Sequence, residues 1–297
     1  MFIRSAVVIG LFAAMALAAD EKNVTYLALG DSIAFGFDPL KLGQPAENFT
    51  GYPEVVADTK EVKHLKKLVN TSCPGETIGS FINVKAPDNG CHPNDKLPYP
   101  QSVGYKAAFG LHTNYPGSQL EEALFLLQIG RKIELVTIDL GGNDLLLLQS
   151  NCNGEPTCIK RALPDVLTSY GNNLPIILTA LRKGGYAGTI VLLTFYSPDY
   201  SDSLQTKAVL ELDIVASVVA TVFGAKIADG FTAFGTASFE FGGKPCDAGL
   251  LIKLPTGTCN VHPSPAGQTL LANTIVNLLG EDKSGNGNQE GQHGNNN

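Results

Sequence analysis

The chain is expected to fold as an α/β sandwich around a mostly parallel sheet. Three observations predict this. Short apolar runs recur along the sequence, and Ile133–Leu140 is so continuously apolar that it suits a strand covered on both faces. Segments with helical periodicity separate these runs, the alternation typical of parallel sheets. Several runs end in Gly, Asn or Asp, at the end where such sheets build their sites.

Taken in order, Val24–Leu29 reads as the first strand and runs straight into Gly30-Asp31-Ser32. Tyr52-Pro53-Glu54 opens a helix, with Pro at a first-turn position. Lys66–Asn70 is a second, weaker strand leading into Thr71–Thr77, where Gly75 is free to expose its N–H. Residues 86–104, rich in Pro, Asn, Asp and Gly, read as a long surface loop. Ser118 and Glu121 form a capping box for a helix with Leu120, Ala123, Leu124 and Leu127 on one face.

The third strand ends in Gly141-Gly142-Asn143-Asp144, and Leu145–Leu148 starts another apolar helix. That leucine run reads as core, with an acyl pocket as its other use. Ile159–Arg182 is helical in pattern but expected to break at Pro164 and Pro175. Thr189–Phe195 is the fourth strand, Leu204–Val222 a long amphipathic helix and Lys226–Ala228 a short fifth strand. Phe231–Pro245 reads as loop with one helical turn at most. His262-Pro263 sits in a loop before a last helix through Leu279.

The 297 residues carry 44% hydrophobic and 16% charged side chains, enough for a sizeable core. The net charge of −7, without a basic cluster beyond Lys60–Lys67, argues against a nucleic-acid partner. Arg4, the apolar run Ala6–Leu17 and Ala16-Leu17-Ala18 form an export signal, so residues 1–18 are expected to be removed. No stretch is apolar for long enough to span a bilayer. One domain over residues 19–281 and a disordered Gly/Asn/Gln-rich tail over 282–297 are expected.

Export fits an even count of six cysteines, Cys73, Cys91, Cys152, Cys158, Cys246 and Cys259. Pairing of sequence neighbours is expected among the 15 possible connectivities. Their spacings are not those of a zinc site. Asn23, Asn48 and Asn70 head glycosylation sequons.

Ser32, Gly75 and Asn143 each follow an expected strand, which puts three special loops at one end of the sheet. Acyl transfer needs a nucleophile, a base and donors for an oxyanion. Ser32 can supply the nucleophile and His262 the base. The N–H groups of Ser32 and Gly75 and the amide of Asn143 can supply the donors. His112 is the rival base. His64, His92 and His293 have solvent, loop and tail settings. A Gly-x-Ser-x-Gly elbow, a His-Glu-x-x-His zinc motif and a Walker loop are absent.

Gly30-Asp31-Ser32, Gly75, Gly141-Gly142-Asn143-Asp144 and His262 resemble, in order, the four blocks of the SGNH, or GDSL-type, esterase/lipase family. The resemblance covers almost the whole chain after residue 18. It implies a flavodoxin-like three-layer α/β/α fold with a five-stranded sheet and hydrolysis of carboxylic esters without metal or organic cofactor. It also implies Ser32 as nucleophile, His262 as base, and Ser32, Gly75 and Asn143 as oxyanion hole. One departure stands out: the family's usual Asp three residues before the His is Cys259 here. A backbone carbonyl near Cys259 is expected to orient the imidazole, with Asp247 the alternative. Asp31 and Asp144 are expected to support turns.

The expected protein is a secreted monomer acting on a small-molecule or lipid ester, with specificity carried by the loops 37–50 and 86–115. The alternatives are a polysaccharide acetylesterase using the same residues and a secreted binding protein on an inactive hydrolase scaffold.

Overall fold

The computed structural model describes residues 24–287, with side chains through residue 280. The expected signal segment and Asn23 lie outside these residues. Five strands, β1 (Thr25–Gly30), β2 (Lys67–Asn70), β3 (Ile133–Asp139), β4 (Thr189–Leu193) and β5 (Lys226–Ala228), form one sheet in the order β2-β1-β3-β4-β5. Every pairing in it is parallel. This 2-1-3-4-5 order is that of the flavodoxin-like doubly wound fold, whose ligand site lies where the order reverses, between β1 and β3.

Alternate strand residues feed two cores. Leu27, Leu29, Val136, Ile138, Ile190 and Leu192 pack on one face. They meet helices α4 (Gln119–Gln128), α6 (Pro156–Lys183) and α7 (Ser203–Val222), numbered in chain order after α1 (Ser32–Phe35), α2 (Tyr52–Ala57) and α3 (Tyr105–Ala108), with α5 at Gly142–Asn151. Tyr26, Ala28, Leu135, Val191 and Leu193 pack on the other face. Their partners there are α2, α8 (Gly230–Ser238) and α9 (Pro265–Gly287). The result is helix, sheet, helix in three layers.

Four expectations need correction. Pro164 and Pro175 do not interrupt α6, which is continuous over 28 residues. Each internal Pro costs about 3 kcal/mol, but Leu163, Tyr170, Leu174, Ile177, Leu178 and Leu181 bury one face of the helix, at about 1.5–3 kcal/mol for each aliphatic side chain. Burial wins. The stretch after β5 is a nine-residue helix rather than a loop. There Asp229 caps the Thr232 N–H at 2.8 Å and Phe234 is fully buried. His262 lies on a strand: β6 (Leu251–Lys253) and β7 (Cys259–Pro263) form a separate antiparallel pair. Helix α9 continues through Gly287, into the stretch expected to be tail; residues 288–297 lie outside the described ones.

The cysteines pair as sequence neighbours: Cys73–Cys91, Cys152–Cys158 and Cys246–Cys259. Asn48 is exposed, whereas the Asn70 amide is buried and donates to Ala34 O and Glu54 Oε1, both at 2.9 Å. Among the described residues, no helix is long and apolar enough to cross a membrane.

Candidate active site

Strand β1 ends on Gly30, at φ +152°, where a Cβ would come within 1.8 Å of Asp139 Oδ1. Only glycine lets the chain turn here beside β3, whose Asp139 is its register partner. The Gln119 side chain clasps this turn. Its Oε1 accepts from Gly30 N at 2.7 Å and its Nε2 donates to Gly30 O at 2.9 Å. Asp31 then caps α1 through the Ile33 N–H at 2.9 Å, the turn-supporting role expected of it. Ser32 follows as the first helical residue, 7% exposed.

The Ser32 Oγ lies 2.8 Å from His262 Nε2. These atoms are 230 residues apart in sequence and are brought together by β1 and β7. Burial lowers the His262 pKa to about 4, which keeps its ring neutral. The Phe37 ring, 4.9 Å from the imidazole by centroids, packs against it. Tyr196 fixes the strand from below, its hydroxyl donating to Val261 O at 2.6 Å.

The group that orients the imidazole is the side chain of Asn260. Its Oδ1 accepts from the His262 backbone N–H at 3.1 Å and also meets His262 Nδ1 in a very short contact. The backbone N–H can only donate, so this atom is the amide oxygen. The Nδ1 facing it therefore carries the proton, and Nε2 presents its lone pair to Ser32. Neither a backbone carbonyl near Cys259 nor Asp247, which is exposed, fills this role. The sequence signal was available: an Asn side chain commonly bonds the backbone two residues on.

Asn143, buried at the start of α5, reaches the same place. Its Nδ2 donates to Asp31 Oδ2 at 3.1 Å and Glu76 O at 3.0 Å, and its Oδ1 accepts from Asn89 Nδ2 at 3.2 Å. Gly75 is one residue before Glu76, at φ +86°, where a Cβ would strike Asn89 O at 2.5 Å. No described group accepts from the backbone N–H of Ser32 or of Gly75. Asp144 ties the two loops together by accepting from Ile78 N at 3.0 Å.

Below the serine lies a buried acid pair. Burial raises Asp31 to about 7, and burial plus the charge of Asp31 pushes Asp139 well above the carboxylate range. Asp139 Oδ1 accepts from Tyr52 Oη at 3.2 Å, while its Oδ2 has no donor. A proton on Asp139, given to Asp31, satisfies both carboxyls.

The other histidines stand apart from this constellation. His112 bonds Phe35 O at 3.0 Å, His92 bonds Asp88, and His64 faces Glu134; His293 lies outside the described residues. One group of potential metal ligands occurs among the described residues: Glu76, Asp88, Cys91 and His92. Cys91 is committed to its disulfide, Asp88 to His92, and Glu76 to Ser80 and Gln119, so these bonds account for the cluster.

Ser32, Asn143 and His262 open onto a cavity of about 360 Å³ walled by α5, the start of α6 and the start of α7. Leu145, Leu146 and Leu148 line it, so part of the leucine run serves the cavity. A hydroxyl in contact with a neutral, oriented imidazole can lose its proton as it attacks a carbonyl.

Comparison with known proteins agrees with this geometry. Residues 26–275 match the GDSL-like Lipase/Acylhydrolase family. Similar solved structures include an extracellular lipase from Streptomyces rimosus (18% identity, 86% of this chain and 98% of that one, TM-score 0.55). An acetylxylan esterase from Geobacillus stearothermophilus is 16% identical over 88% of this chain and 96% of that one, with TM-score 0.51. An α/β hydrolase enzyme from the metagenome of Lake Arreo, Spain, is 18% identical over 86% and 95%, with TM-score 0.51. At these identities the likeness carries the fold. No curated protein sequence matches the chain. The match across residues 26–275 places the chain in the GDSL-like lipase/acylhydrolase family, the SGNH hydrolases, and makes it a carboxylic ester hydrolase.

Proposed function

We propose that the protein is a secreted serine esterase working through an acyl-enzyme on Ser32. The observation that carries this reading is the 2.8 Å contact between Ser32 Oγ and His262 Nε2 at the mouth of a cavity. Ser32 Oγ bonds to the ester carbonyl carbon as its proton passes to Nε2. The resulting oxyanion is taken by the N–H groups of Ser32 and Gly75 and by Asn143 Nδ2, which gives up one of its present acceptors. Collapse breaks the bond to the alcohol, which leaves with the proton from His262. Water, deprotonated by the same nitrogen, then attacks the acyl carbon; collapse breaks the bond to Ser32 Oγ, which takes the proton back from His262 as the acid leaves. Asn260 holds the imidazole in the required tautomer throughout.

Secretion is supported by the export signal over residues 1–18 and by three disulfides, which suit an oxidising compartment. Cleavage after Ala18 would leave residues 19–297, with the hydrolase domain running from residue 19 through α9, active as a monomer. The test is covalent. A fluorophosphonate should label Ser32, and Ser32→Ala should lose hydrolysis of p-nitrophenyl esters while keeping its circular dichroism. Labelling of another serine, or an active Ser32→Ala protein, would overturn the assignment.

A further inference from the structure

The cavity beside Ser32 has a wall chemistry of its own. Apart from the reacting groups at one end and Gln149, Lys160, Asp202 and Gln205, its lining is glycine, aliphatic or aromatic, supplied mostly by α5, α6 and α7, with Phe195, Tyr196 and Pro198 after β4 completing it and the Tyr196 hydroxyl already bonded to Val261 O. Two of its lining residues are the telling ones. Leu146 and Leu204 face the cavity, are only half-buried, and belong to none of the four hydrophobic clusters that make up the core. Leu148 and Ala208, in contrast, also pack into the small core held at the Cys152–Cys158 turn. Apolar side chains without a partner in their own core are surface kept for something that arrives from outside.

We infer that this cavity is an acyl-chain site and that the enzyme prefers esters of medium-length saturated fatty acids over acetates. The inference rests on the reading of Ser32 as the nucleophile and adds the substrate class to it. Size sets the length. A six-carbon ring fills an apolar cavity of about 150 Å³. At that density the 360 Å³ here holds on the order of fourteen carbon atoms. With the reacting ester group occupying part of the space, an acyl chain of about eight to twelve carbons fits. The wall offers a sugar few partners: four polar side chains beyond the reacting end are too few for a hydroxyl-rich ring buried against leucines. None of the loops 37–50 and 86–115 lines this cavity; Phe37, Phe49, Tyr105 and Phe109 pack on one another, and Phe37 also packs on the His262 ring.

The experiment is a chain-length series of p-nitrophenyl acetate, butyrate, octanoate, decanoate and palmitate. Burial of each methylene should raise kcat/KM about threefold to fourfold, so octanoate should exceed butyrate by about two orders of magnitude. The rise should stop once the cavity is full, leaving palmitate below decanoate. Leu146→Asn with Leu204→Asn should lower the decanoate-to-acetate ratio by about tenfold or more. Leu146→Trp, which fills rather than polarises the cavity, should move the optimum to shorter chains. Calorimetry adds a readout independent of turnover: the Ser32→Ala protein should bind decanoic acid, and its Leu146→Asn, Leu204→Asn form should bind it more weakly. If Ser32 is labelled by fluorophosphonate but rates fall from acetate upward and ignore Leu146 and Leu204, the acyl site is wrong and the nucleophile stands. If decanoic acid binds as inferred but Ser32→Ala still hydrolyses, the nucleophile is wrong and the acyl site stands.

Discussion

The side-chain oxygen of Asn260 accepts from two nitrogens of His262, the backbone N–H and Nδ1. One bond fixes the amide orientation and the other fixes the imidazole tautomer. A carboxylate in this place would do the same and would also stabilise the charged ring. The amide supplies the orientation without the charge.

Asn260→Ala should therefore leave Ser32 reactive in principle but lower kcat/KM by about 10²-fold, the scale of a misplaced catalytic group. The pH profile carries the sign of the effect. Burial puts His262 at about 4, below the ordinary value of about 6.5. Protonated His262 cannot accept the serine proton, so the rate falls as pH drops through that value, and the acid limb should lie near pH 4. Asn260→Asp sets a negative charge against Nδ1, favours the imidazolium, and should move the limb upward. An acid limb near 6.5 in the wild type, or an unmoved limb in Asn260→Asp, would contradict this account.

The Asn143 amide is held on three sides, by Asp31, Glu76 and Asn89. The amide is thus fixed in place, and in the proposed mechanism it exchanges one of its two acceptors for the oxyanion as charge develops beside it. Asn143→Ala should then lower kcat by about 10²–10³-fold, with KM much less affected because the bond strengthens in the transition state. Steady-state kinetics on one ester decide the point. A raised KM at unchanged kcat would make Asn143 a binding residue.

The buried acids give stability a distinctive pH dependence. Burial holds Asp31, Glu76 and Asp144 each at about 7 in the folded chain, above their unfolded values near 4. Between about pH 4 and pH 7 the folded state binds more protons than the unfolded one, so stability falls as pH rises. His262, depressed to about 4, acts in the opposite direction, but it is one group against these three and against Asp139 and Asp213, which burial also raises. The thermal midpoint should be higher near pH 5 than near pH 8. Asp139→Asn gives Asp31 a permanent donor in place of the shared proton and should flatten the slope. A midpoint that rises across this range would reject the protonated pair.

Much of the site was legible because each block is local. A strand, a glycine and a polar residue within a few positions mark Ser32, Gly75 and Asn143, and the alternation of strands with helical segments marks the parallel sheet. What was illegible is non-local. The Gln119 clasp spans 89 residues to Gly30, and nothing near Gln119 announces it. The helix through Pro164 and Pro175 depends on a face buried against the sheet. The cavity is made where three helices meet, so no window of sequence contains it. Asn260 was legible in kind, as an Asn two residues before a donor, but its second bond needs the ring's position in space.

The Cys246–Cys259 disulfide couples covalent structure to the base. Cys259 begins β7 and pairs in register with Lys253 of β6, while Asn260 and His262 follow on the same strand. The bond thus fixes the strand one residue ahead of the group that orients the imidazole. Its loop, with a sequence separation of 13, is worth about 3 kcal/mol in the chain-entropy model. The β6–β7 pairing and the Tyr196 bond to Val261 keep the strand in place without it, so the fold should survive. The geometry of Asn260 and His262 is more demanding, because a displacement of about 1 Å can cost on the order of 10²-fold in rate. The double variant Cys246→Ser, Cys259→Ser should be a folded enzyme with a lower melting point and a disproportionately lower kcat. Calorimetry and ester kinetics on the same preparation separate the two effects. Undiminished kcat in the folded double variant would show that the hairpin alone positions the base.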